Sequence, residues 1–195
     1  MTKRNRIKWH AVAGAIVLTI ADIAWTHADE GEVPRLVGRV IKVVDGDTLD
    51  IRLESGPLRI RLHAADTPER GQPYYEEARA ALSKLVLDKV VEVEPFEQDR
   101  YDRMVGILYL KDLNINAELI QAGHAWAFRR YMRKEDARLC QMENDARRGK
   151  RGLWSLKVSE QVAPWEYRSR RSRKTFTNFS RHTAHECIAA IGSRY

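Results

Sequence analysis

The chain has 195 residues, 44% of them hydrophobic and 31% charged, with a formal net charge of +7. That length fits one globular domain with extensions better than two full domains, and it can bury a real core without needing staples. The positive balance suggests a polyanionic partner, the alternative being a basic protein by chance.

The charge is uneven along the chain. Residues 1–28 carry four Lys/Arg and one Asp, and residues 157–195 carry eight Lys/Arg and three Glu. The stretch between them holds 22 Lys/Arg against 23 Asp/Glu, a net of −1. Any phosphate affinity of the middle therefore depends on local placement. Residues 1–28 read as an export signal: Lys3, Arg4, Arg6 and Lys8 precede an apolar run from Ala11 to Ala21, and Thr26-His27-Ala28 offers small residues for cleavage. The apolar run is shorter than the roughly 20 residues of a comfortable span. A secreted or periplasmic protein is the expectation, with membrane anchorage through residues 9–25 as the alternative.

From Arg35 to Leu53 the chain predicts two strands around the tight turn Asp45-Gly46-Asp47. Leu49, Ile51 and Leu53 alternate with Asp50 and Arg52, and a second turn at Glu54–Pro57 leads to Leu58, Ile60 and Leu62 alternating with Arg59 and Arg61. A loop spans Ala65–Pro73, and an amphipathic helix is predicted over Tyr75–Asp88. Strands follow at Val90–Phe96 and Met104–Leu110. Asn114 caps a short helix that Gly123 stops, and a third helix is predicted over Lys134–Arg148. This order predicts an α+β fold: a five-stranded barrel of the oligonucleotide-binding (OB) type with about three helices, over residues 33–156. Residues 157–195 read as a basic tail, flexible where Arg168 to Lys174 places five basic residues in seven positions.

Two acidic fragments carry the chemistry. Asp45-Gly46-Asp47-Thr48 sits at a strand end, and Asp66-Thr67-Pro68-Glu69 lies on a loop. Hard cations such as Ca²⁺ take oxygen ligands from carboxylates, backbone carbonyls and water, which short acidic loops provide. Taken singly, each fragment is also an ordinary turn or helix start, Arg61 a solvated strand residue and Arg103 a surface ion-pair partner.

Taken together, Val40–Thr48, Arg61-Leu62, Asp66–Glu69, Asp99–Arg103, Leu119–Gly123 and Gly152–Trp154 resemble, in order, the thermonuclease or staphylococcal nuclease-like family. The resemblance covers roughly residues 36 to 155. It implies an OB barrel with three helices and a calcium-dependent, sugar-nonspecific endonuclease that hydrolyses DNA and RNA to 3′-phosphate ends. It implies that Asp47, Asp66 and Thr67, the last through its carbonyl, bind Ca²⁺. Glu69 would orient or deprotonate the attacking water, and Arg61 and Arg103 would hold the scissile phosphate. Tyr101 and Tyr131 would line the nucleotide pocket. Three departures from the family pattern stand out. Asp102 occupies a position where the family usually has glycine. Arg129 falls where the type member has a second pocket tyrosine, exchanging base stacking for phosphate contact. The loop after Glu69 lacks the type member's lysine-rich insertion. The competing reading is a non-catalytic nucleic-acid-binding barrel, a role in which the acidic or arginine positions are usually lost.

Three further features have open readings. Cys140 and Cys187 pair in an oxidising compartment, or Cys140 is a core residue. Trp126, Phe128, Trp154 and Trp165 stack bases or pack a core. His182, His185 and Cys187 have the spacing of a loose metal site or belong to an incidental polar helix. No protein partner is evident from the sequence.

Overall fold

The computed structural model describes residues 34–171 and 184–192. The export segment with its anchor alternative, the end of the basic run and His182 lie outside the described residues.

Alternation of inward and outward side chains builds the barrel. Strands β1 (Leu36–Val43), β2 (Thr48–Leu53) and β3 (Gly56–Leu62) form an antiparallel meander. After β4 (Ala65–Asp66) and helix α1 (Tyr75–Val86), strands β5 (Val90–Gln98) and β6 (Met104–Leu110) continue the sheet. β5 pairs antiparallel with β1 and β6, and a parallel β3–β6 ladder closes the sheet on itself. Val40, Leu49, Ile51, Ile60, Val93 and Leu108 are wholly buried inside it, while Arg52 and Arg59 point outward. Register shifts at Val40–Lys42 in β1 and Pro95–Glu97 in β5 supply the bends that closure needs. Pro95, which lacks a backbone donor, sits at the second of these shifts.

Short β7 (Leu113–Asn114) leads into α2 (Ile115–Gln121), where Ala117 N donates to the Asn114 side chain at 2.9 Å as an N-cap. β8 (Trp126–Ala127) pairs with β4 in a separate two-stranded ladder, Asp66 opposite Trp126. α3 (Ala137–Arg148) starts later than its sequence pattern suggests, because Lys134–Asp136 forms a tighter 3₁₀ turn before it.

The chain beyond residue 156 departs from the flexible-tail expectation. Helix α4 (Pro164–Arg171) packs beside β8, with Ala163, just before it, wholly buried and Trp165 nearly so. The Trp165 ring stacks on Phe128 at 5.1 Å and meets Trp126 edge-on at 5.5 Å, and Trp154 also packs on Trp126. These aromatics therefore form a second core. Their apolar area outweighs the polarity of the surrounding segment.

Helix α5 (Ala184–Gly192) packs on α3, and Cys140 and Cys187 form a disulfide between them with Cα atoms 5.8 Å apart. Cys187 is thereby excluded as a metal ligand. The bridge closes a sequence separation of 47 residues, for which chain entropy predicts about 4 kcal/mol, an upper figure if the unfolded chain keeps structure. Cys187→Ser, or reduction of the wild-type protein, is expected to lower unfolding free energy by about 2–4 kcal/mol in denaturant titration. Unchanged stability would place α5 outside the cooperative unit.

Candidate active site

The turn between β1 and β2 presents Asp47. Asp47 N donates to Asp45 Oδ1 at 3.1 Å, and Leu62 N donates to Asp47 O at 2.9 Å, which fastens the turn to the end of β3. The Asp47 side chain is 7% exposed. Its Oδ2 accepts from Thr67 N at 2.7 Å and Thr67 Oγ1 at 2.9 Å, and its Oδ1 accepts from Thr48 Oγ1 at 3.1 Å. Arg61 Nη1 also stands against Asp47 Oδ1. The two acidic segments thus meet directly. Gly46 makes the approach possible: a Cβ there would stand 2.7 Å from Thr67 Oγ1 and 2.8 Å from Thr67 Cβ.

Asp66 lies on β4 with no exposed surface. Arg61 Nη2 donates to Asp66 Oδ1 at 2.8 Å, so one guanidinium spans Asp47 and Asp66. A second guanidinium approaches from α4. Arg168 Nη1 donates to Asp66 Oδ1 at 3.0 Å and Glu69 Oε1 at 2.6 Å, and Arg168 Nη2 donates to Asp66 Oδ2 at 2.8 Å. Burial works to lower the pKa of Arg168, but Asp66 and Glu69 outweigh it and hold the guanidinium raised. Gln72 secures the other end of the loop: its Oε1 accepts from Glu69 N at 2.8 Å, and its Nε2 donates to Val162 O at 2.9 Å.

Arg103 reaches the same region from the β5–β6 connection. Arg61 pairs with Val105 across the parallel ladder, and Arg103 lies two residues earlier, so strand alternation sets both arginines on one face. Burial raises the Asp45 carboxyl above its ordinary range, and Arg61, Thr48 and Arg103 act against that rise. Arg103 therefore lies within electrostatic reach of the acidic turn. Its Nε and Nη2 donate to Asp99 Oδ2 at 2.8 and 2.6 Å. Burial works to raise the Asp99 carboxyl, but hydrogen bonds from Arg103 and from the N–H groups of Tyr101 and Arg103 hold it lowered. Asp102 is exposed, so the carboxylate bound to Arg103 is that of Asp99. Asp102 also has φ +59°, the left-handed region that glycine would take without strain.

The remaining site residues separate. Tyr101 is 64% and Tyr131 51% exposed, with the Arg103 guanidinium 5.3 Å from the Tyr101 ring centre. Arg129 is buried, with Nη2 3.7 Å from Glu143 Oε1. Burial lowers the Arg129 pKa against the opposing pull of Glu143. Glu143 Oε2 also accepts from Ala127 N at 2.6 Å, so this buried group braces β8 against α3. The phosphate contact expected of Arg129 conflicts with that burial; the exchange of tyrosine for arginine here serves the interior.

Among the described residues, no three His, Cys, Asp or Glu side chains converge as a ready metal cage. The carboxylates converge on guanidiniums instead. Sequence reasoning missed Arg168 and Gln72. The available signal was Trp165, a large apolar residue one helical turn before Arg168.

This arrangement, acidic loops and facing arginines on a closed OB-type barrel, can be set beside known proteins. The model of the family described as staphylococcal nuclease homologue matches residues 59–156. A micrococcal nuclease of Shigella flexneri is 37% identical over 177 residues, covering 86% of this chain and 95% of that protein. Protein ParB of Escherichia coli is 33% identical over 177 residues, covering 86% and 94%. An uncharacterized endonuclease of Escherichia coli O157:H7 is 40% identical over 135 residues, covering 69% and 86%. The fold and these relatives define a nuclease, a hydrolase acting on ester bonds. The chain belongs to the staphylococcal nuclease homologue family.

The left-handed backbone at Asp102 makes a direct prediction. Asp102→Gly is expected to leave stability within about 0.5 kcal/mol of wild type, whereas Asp102→Val costs about 1–2 kcal/mol because its branched γ-methyls, which Asp lacks, crowd the left-handed backbone. Thermal melts of the two variants test this; equal melting temperatures would mean the connection has relaxed to another backbone.

Proposed function

We propose that the protein is an exported, calcium-dependent, sugar-nonspecific endonuclease that hydrolyses DNA and RNA and leaves 3′-phosphate ends. The observation that carries this reading is the Arg61 guanidinium spanning two buried carboxylates, Asp47 and Asp66, beside Thr67. The donor chemistry fits a hard divalent ion: Asp47, Asp66 and the Thr67 carbonyl would hold it, water completing the set. Bound there, the ion supplies Lewis-acid polarisation of a phosphoryl oxygen.

The chain's own residues divide the remaining work. Arg61 and Arg103 present planar donor forks to the scissile phosphate and stabilise charge as the five-coordinate state develops. Glu69, whose side chain is 38% exposed, can meet solvent and orients or deprotonates the attacking water. Tyr101 and Tyr131 offer exposed ring faces to bases, a contact every base can make. That tolerance accords with action on both nucleic acids. Export accords with the charged start of the chain and with the disulfide, which persists in oxidising compartments.

Purified protein is expected to cut single-stranded DNA and RNA with Ca²⁺, to stop with chelator, and to yield ends that a 3′-phosphatase can trim. Binding without cleavage would instead support a non-catalytic nucleic-acid-binding barrel. Glu69→Gln should lower kcat about 10²–10⁴-fold with little change in substrate affinity; equal losses in both would remove its role with water.

The arginines should also separate by measurement. Arg103→Ala is expected to lower kcat about 10²–10³-fold with little change in melting temperature. Arg129→Ala should instead lower stability by about 2 kcal/mol, because it weakens the bracing of buried Glu143, while folded protein keeps its kcat. The reverse ranking in kcat would place Arg129 on the phosphate.

A further inference from the structure

Helix α4 lies beyond the segment that the family model matches, yet it delivers a cation into the centre of the site. A carboxylate offers about four lone-pair directions. Asp66 already accepts three N–H groups, from Arg61 Nη2, Arg168 Nη1 and Arg168 Nη2. With no exposed surface, Asp66 has little room for a further ligand while Arg168 stays in place. Glu69 is held by the same guanidinium.

The charges point the same way. Asp47, Asp66 and Glu69 carry three negative charges, and Arg61 and Arg168 return two positive ones. Removing Arg168 changes the local balance from one excess negative charge to two, which attracts a dication more strongly. The two arginines also differ in freedom. Arg61 is 13% exposed on a barrel strand, whereas the Arg168 side chain is 40% exposed at the end of a flexible stem. Trp165 on Phe128 and, just before the helix, Val162 O on Gln72 hold α4 independently of Arg168, so the guanidinium can move out while the helix remains docked.

We propose that Arg168 is a built-in competitor of the divalent cation. Its guanidinium and the cation compete for Asp66 and Glu69, and it withdraws when the cation binds. This one side chain thereby raises the cation concentration at which the nuclease switches on. The inference rests on the reading of Asp47, Asp66 and Thr67 as the cation's ligands.

The test is calorimetric titration of Ca²⁺ into the full chain without nucleic acid, paired with thermal melts in chelator and in Ca²⁺. Arg168→Gln is expected to lower the Ca²⁺ dissociation constant by about tenfold or more. It should also lower the melting temperature in chelator, because buried Asp66 loses a partner, and enlarge the rise that Ca²⁺ produces. Arg168→Lys, which keeps the charge without the planar fork, should fall between. Arg170→Gln, at an exposed neighbour on α4, should match wild type. Ca²⁺ affinity equal to wild type or weaker in a folded Arg168→Gln protein would overturn the competitor role while leaving the ligand reading intact. Absence of Ca²⁺ binding in both wild type and Arg168→Gln would overturn the ligand reading and this inference with it.

Discussion

The site depends on a carboxylate that the fold removes entirely from water. Asp66 has no exposed surface, and an isolated buried carboxylate costs several kcal/mol unless it is paired and hydrogen-bonded. Two guanidiniums meet that requirement, one from the barrel wall and one from α4. Because Asp66 cannot be moved without leaving those charges unmatched, everything that fixes it also fixes the site. The β4–β8 ladder holds its backbone, and Thr67, the next residue, ties it to Asp47.

The barrel turns this local constraint into a geometry. Closure by the parallel β3–β6 ladder brings Arg61 and the β5–β6 connection to one face. The turn before β2 and the loop after β3 then approach closely enough for Thr67 to bond Asp47, a distance that only glycine at position 46 permits. Since the middle of the chain carries almost no net charge, phosphate affinity there must come from this placement of individual arginines.

Much of this was legible in the sequence. The strands announced themselves by alternation, and the acidic pair and Arg61 by their resemblance, taken in order, to the family's motifs. The parts that were not legible are instructive. Arg129 aligned with a pocket tyrosine, but its fate depends on Glu143, which shares a helical face with Leu139, Cys140 and Ala146 and is therefore carried into the interior. That periodicity was readable; the arginine that would meet it was not, because the pairing joins distant segments. Asp102 raised the question of a carboxylate beside Arg103. The left-handed backbone leaves the Asp102 side chain exposed, and Asp99 takes the arginine. The C-terminal segment looked like a solvated run because its composition is polar, yet Ala163 and Trp165 are buried within it and join the second core.

The structure's arginines show why charge counting alone could not separate structure from chemistry. Arg61, Arg103, Arg129 and Arg168 all face carboxylates, so having an acidic partner distinguishes none of them. What differs is how firmly each is held and how far it is buried. Arg129 is buried beside Glu143, which in turn holds the β8 backbone, so its field is spent inside the protein. Arg103 and Arg168 keep a quarter or more of their side chains exposed and have room to exchange partners. An arginine that can release a carboxylate can accept a phosphate or yield to a cation, because in both exchanges the charge it leaves or takes up finds another charged partner. In this chain the basic residue added from beyond the barrel is of that exchangeable kind, and it sits on the two carboxylates proposed for the metal and for the water.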